Sequence, residues 1–133
     1  MSATSPMAQR KDGGITMSTL NVSNITDGVD TVETGYVLNG SAKVYANYNS
    51  DATLRDSLNT SSITDAATGN ADINFTNNMA DTDYAICGLN SSWHQYHTNG
   101  GKLSNKMRIV GGSSSHAASD QAQNNGFAFG DLA

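Results

Sequence analysis

At 133 residues the chain is sized for one domain, and a net charge of −5 removes the cationic face that nonspecific nucleic-acid binding needs. A single cysteine excludes an intrachain disulfide framework, and no apolar stretch approaches the roughly twenty residues of a membrane-spanning helix. Asn, Ser and Thr supply 44 residues while only 14% are charged, so solubility rests on neutral hydrogen-bonding side chains that favour turns and strand faces over helix interiors.

Residues 1–34 read as an extended N-terminal docking arm, and residues 35–133 as a small antiparallel β-sandwich domain. Ser2–Gly14 has almost no hydrophobic periodicity and holds the one proline, Pro6; it also lacks the apolar core of a signal peptide. Thr19–Ile25 is the candidate docking edge strand, with Leu20, Val22 and Ile25 as its apolar residues, and Asp27-Gly28 signals a turn after it. The arm has too little apolar surface to pack a core of its own. Ordering it costs roughly 1–2 kcal/mol per residue, which contacts with other chains must offset.

The best strands follow. Asn39-Gly40 is a type I′ turn signal ahead of Ala42–Tyr48, where Ala42, Val44, Ala46 and Tyr48 share one face. Leu54–Leu58 and Ser62–Thr64 are weaker strands. Ala71–Thr76 alternates Ile73 and Phe75 with Asp72, Asn74 and Thr76, the clearest half-buried pattern in the chain. A polar turn through Asn77–Asp83 leads to Tyr84–Leu89, which places Cys87 as a buried structural thiol beside Ala85 and Leu89. Lys106–Val110 alternates as a strand, Ser113–Gln123 is the one segment with helical character, and Asn125-Gly126 begins a turn into the closing strand Phe127–Phe129. The predicted core is Val44, Tyr48, Ile73, Phe75, Tyr84, Ile86, Ile109, Phe127 and Phe129. The eight residues from Leu20 partly repeat from Leu58, but two copies make no solenoid.

Gly40–Tyr48, Thr53–Asn59, Ser62–Asp65, the segment Asn74–Ala85 and the last seven residues together resemble an accessory virion structural protein of tailed bacteriophages, of the tail-fibre, collar or decoration type. The resemblance spans about residues 17–89 and the C-terminus. It implies a sandwich similar to H-type lectin domains, a homotrimer, and a place on the external surface of the phage particle. Its implied partners are further copies of the chain and other virion proteins of the capsid, neck or tail.

Four constellations bear on chemistry. Trp93, His94, Tyr96 and His97 form the candidate receptor or partner contact, an aromatic loop suited to stacking on a host-surface glycan or a neighbouring subunit. If that segment were helical, His94 and His97 would offer an i, i+3 metal pair, with His116 or Asp120 to complete it, but the spacing matches no established ligand set. Asp81 and Asp83 lack the further acids of a calcium loop and suit turn-stabilising side-chain bonds instead. Six Asn-x-Ser/Thr triplets follow from the composition. No Gly-x-Ser-x-Gly elbow appears, and the one Glu, Glu33, lies in the arm. The expectation is a non-enzymatic assembly protein with no cofactor and no metal, and a glycan-binding fibre tip as the alternative.

Overall fold

The structure is a computed structural model that describes residues 21–91, 94–97, 101–113, 115 and 117–133, with 94–97 as backbone alone. The fold is all-β and sandwich-like. Among the described residues ten strands form three antiparallel sheets: a two-stranded hairpin and two four-stranded sheets.

The hairpin pairs β1 (Asn24–Thr26) with β2 (Thr31–Glu33). Its turn is built by Asp27, whose Oδ1 accepts the amides of Val29 at 3.0 Å and Asp30 at 2.8 Å. Helix α1 (Thr34–Gly40) follows directly and buries none of its residues. It replaces the type I′ turn expected at Asn39-Gly40. Such a turn needs positive φ at both central residues, and neither Asn39 nor Gly40 has it. The helix's C-terminal turn is held instead by the Lys43 ammonium, which donates to the Leu38 carbonyl and to Ser41 Oγ, as suits a cation at that end.

The first large sheet runs β4 (Leu54–Leu58), β3 (Val44–Tyr48), β10 (Asn124–Phe129), β7 (Ala85–Asn90). The second runs β5 (Thr60–Ala67), β6 (Asn70–Phe75), β9 (Lys106–Gly112), β8 (His94–His97). The chain passes from one sheet to the other at Asn59, which adopts left-handed φ of 54°. Its side chain accepts the Asn77 amide at 2.6 Å and donates to the Asn77 carbonyl at 3.0 Å, fixing the corner.

Between the sheets lie Val44, Ala46, Tyr48, Ile73, Phe75, Tyr84, Met107, Ile109 and Ala128, with Ile63 and Ile86 at the margins. Phe75 meets Tyr84 edge-on at 5.9 Å between ring centroids. Tyr84's hydroxyl contacts the carbonyls of Leu103 at 2.8 Å and Lys106 at 2.9 Å, so the ring also anchors the turn into β9. Met79, in the polar Asn77–Asp83 turn, is buried as well and bridges Leu132 near the C-terminus.

Four expectations are corrected. Asn125-Gly126 is not a turn but part of β10, and Phe127 and Phe129 are only partly buried, because Asn124, Gly126 and Ala128 take the inward positions. Cys87 shares a strand face with Ala85 and Leu89 as expected, but that face is the outer one and the thiol is exposed. Ser113–Gln123 holds no helix among its described residues; Gly112 bridges Ala118 there. Of the Thr19–Ile25 edge strand, Thr19 and Leu20 lie outside the described residues, Val22 is in no strand, and Ile25 is already paired within the hairpin.

Candidate docking surface

Two apolar surfaces are left uncovered by the described residues. The first is the described part of the arm and its continuation, residues 21–40. Val29 is 90% exposed, Tyr36 72% and Leu38 64%, and Val22, Ile25, Val32 and Val37 are exposed too. The hairpin is closed by local bonds, the Asp27 turn and Thr34 Oγ1 to the Val22 and Ser23 carbonyls, rather than by a core. The segment carries Asp27, Asp30 and Glu33 and no lysine or arginine. Asp27's carboxyl is held below its usual range by the Asp30 and Val29 amides, so it stays charged.

The second surface is the outer face of the β4-β3-β10-β7 sheet. Register aligns Leu58, Tyr45, Phe127 and Cys87 in one row across all four strands. Phe129 and Ala85 pair on one side of that row, Asn125 and Leu89 on the other. Leu58 and Leu89 are exposed, while Tyr45, Phe127 and Phe129 are partly buried. Polar groups frame the band: Tyr45 Oη bonds Asp56 at 3.1 Å, and Asn47 bonds Asn125 at 2.6 Å.

The opposite sheet's outer face is different in kind. Asp72 is buried there, bound through Oδ1 to Arg108 Nε at 2.5 Å and through Oδ2 to Arg108 Nη2 at 2.9 Å and Lys106 Nζ at 2.8 Å. The Arg108 guanidinium, with Lys106 beside it, holds the Asp72 carboxyl below the usual carboxylate range. Asn74 spans to Ser62 Oγ at 3.1 Å and Thr64 Oγ1 at 2.9 Å. Around Asp72 and Asn74 this face carries a satisfied polar network, unlike the Phe127 band on the other sheet.

Of the sequence-predicted contact residues, Trp93 lies outside the described residues. His94, Tyr96 and His97 belong to strand β8, opposite Gly112, Val110 and Ile109, and not to a loop. The helix that an i, i+3 histidine pair requires is absent there. Among the described residues no three of His, Cys, Asp and Glu gather into a metal-holding group. Asp81 does what its turn chemistry suggested, accepting the Asp83 amide at 2.7 Å. The apolar band around Phe127 was missed because its residues come from four strands. Only Phe127-x-Phe129 marks it in sequence, and that alternation suits a core strand equally well.

No helix among the described residues is long and apolar enough to cross a membrane. No protein-family model matches the sequence, and neither a curated protein nor a solved structure matches the chain.

Proposed function

We propose that this protein is a structural component of a bacteriophage virion, a capsid-decoration or neck or tail appendage subunit on the particle's external surface. It docks through its N-terminal arm and self-assembles. One observation carries the reading: residues 21–40 present seven exposed large apolar side chains and pack none of them into the sandwich. Apolar surface held out on a locally braced hairpin and helix is stabilised when another chain covers it. The all-β body beside it supplies a base from which the arm extends.

The association proposed is a closed homotrimer, as the sequence resemblance implies, with each arm covered by a neighbour or by another virion protein. Closed cyclic symmetry satisfies every copy of an arm equally. Deleting residues 1–34 tests this directly. The truncated protein is expected to keep its β circular-dichroism spectrum and to fail to incorporate into particles. Normal occupancy of the truncated protein would sink the docking role, as would a full-length protein that sediments as a monomer at all concentrations.

A further inference from the structure

Three Asn-Gly pairs occur in the chain, at 39–40, 99–100 and 125–126, and the second lies outside the described residues. Asn-Gly is the pairing most prone to spontaneous deamidation, because glycine has no side chain to shield its amide nitrogen from the preceding asparagine. The fold puts the two described pairs in opposite settings. Asn39 and Gly40 end helix α1, and both are exposed. They border a surface hollow with Glu33 and Tyr36, so water reaches the asparagine side chain. That side chain has no hydrogen-bond partner among the described residues, and a Cβ built on Gly40 would meet nothing within 4 Å.

Asn125 and Gly126 lie inside β10, between β3 and β7. Asn125 Oδ1 accepts from Asn47 Nδ2 at 2.6 Å, and Gly126 is buried, paired with Ala46 on one side and Gly88 on the other. Ring closure there needs Gly126 to leave its ladder. At Asn39 it needs far less. A helical amide points to the carbonyl four residues back, so only the last turn of α1 must open for the Gly40 nitrogen to reach the Asn39 side chain. That helix is seven residues long, has no side-chain cap bond at its N-terminus and buries none of its residues. So short a helix is marginal in water, and a glycine at its end weakens it further. The Lys43 ammonium holds the Leu38 carbonyl and Ser41, but it does not tie Asn39 itself.

We propose that Asn39-Gly40 is a site of self-modification that gives α1 a chemical lifetime. The Gly40 nitrogen loses its proton to hydroxide and attacks Cγ of Asn39. The new C–N bond closes a succinimide ring, the Cγ–Nδ2 bond breaks, and ammonia leaves. Water then opens the ring at either carbonyl, leaving aspartate or isoaspartate at position 39. The sum is one water consumed and one ammonia released, with no oxidant and no cofactor. Either product puts a carboxylate on the C-terminal turn of α1, where the helix dipole disfavours an anion. Isoaspartate also lengthens the backbone by a methylene and cannot continue the helix. Tyr36 and Leu38, exposed on the same short helix, lose the frame that presents them. The site is a property of the free chain and stands whether or not the arm docks; only its consequence for assembly rests on the docking reading.

Incubation of the full chain at neutral and mildly alkaline pH, followed by peptide mapping with mass spectrometry, tests it. Residue 39 is expected to show the amide-to-acid mass change about tenfold faster than residue 125, or more, because opening a helix end costs far less than opening a central strand. The conversion should speed up with pH, since ring closure needs the deprotonated amide, and isoaspartate should accompany aspartate. Gly40→Ala should slow it by about tenfold, as the added methyl crowds the attacking nitrogen. That methyl has open space in the fold, so the variant keeps the native structure. An unmodified Asn39 after an incubation that converts the free peptide of residues 37–42 would overturn the proposal. Equal rates at residues 39 and 125 would overturn it too, as would a Gly40→Ala chain that converts as fast as the wild type.

Discussion

Gly126 of β10 sits against Ile73 of β6 so closely that a Cβ at Gly126 would fall 2.4 Å from Ile73 Cδ1, with Met107 Cε at 3.1 Å. The two sheets meet there through a gap in one side chain and a fully buried isoleucine on the other. This contact sets the register of β10. With Ile73, Met107 and Ile109 filling the interior from the second sheet, the closing strand has room inward only for Asn124, Gly126 and Ala128. Gly126→Ala is therefore expected to lower stability by about 1–3 kcal/mol in urea denaturation. Combining it with Ile73→Val should recover part of that loss. An alanine variant as stable as the wild type would contradict the packing.

The Asp72 network gives a pH signature. Its carboxyl titrates below the ordinary 3.8 in the folded chain, because Arg108 and Lys106 favour the charged form. The unfolded chain then takes up the proton first on acidification. The stability Asp72 contributes is whole above about pH 4 and is lost as pH falls through the lowered folded value. Asp72→Asn should flatten the stability curve between about pH 5 and pH 2. At pH 7 Asp72→Ala should cost about 1–3 kcal/mol, since it strips the partner from Arg108 and Lys106, which keep some access to water.

Tyr84 shows the opposite sense in alkali. Burial pushes its phenol up to about 12, so it stays neutral when the unfolded chain begins to ionise near 10. Its stability contribution is full below pH 10 and is lost as pH rises toward 12. Ultraviolet titration of tyrosinate should show Tyr84→Phe removing a late-ionising group. The same variant should cost about 1–2 kcal/mol through the lost bonds to the Leu103 and Lys106 carbonyls.

Cys87 reports on the outer face. It is exposed on β7 beside Phe127, so a thiol reagent should label it fully in the folded protein without denaturant. Labelling that required unfolding would show this face to be covered within the chain itself. Assembled particles should protect the thiol only if the Phe127 band is an interface, which separates docking by that face from docking by the arm alone.

Polar replacement on the arm separates docking from folding. The double variant Tyr36→Ser, Leu38→Ser should change the stability of the isolated chain by no more than about 0.5 kcal/mol, because both side chains are exposed. Particle incorporation should fall sharply. A variant that incorporates normally would remove α1 from the docking surface.

The sequence by itself determined the central strands and most of the core, but not β2, α1 or β8. Alternation over Ala42–Tyr48 and Ala71–Thr76 reports which residues share a face, because the strand period of two is a local property. It also placed Val44, Tyr48, Ile73, Phe75 and Ile109 inside, since in each case the apolar face opposed a largely polar one. Where both faces carried small or apolar residues, local pattern had nothing to choose with. Phe127 and Phe129 alternate with Gly126 and Ala128, and Cys87 with Ile86, so the side that turns inward follows from what the other sheet already fills. That decision belongs to the tertiary structure, because volume in a closed core is shared among strands distant in sequence. The burial of Asp72 was decided there too, by Lys106 and Arg108 arriving from β9 more than thirty residues later.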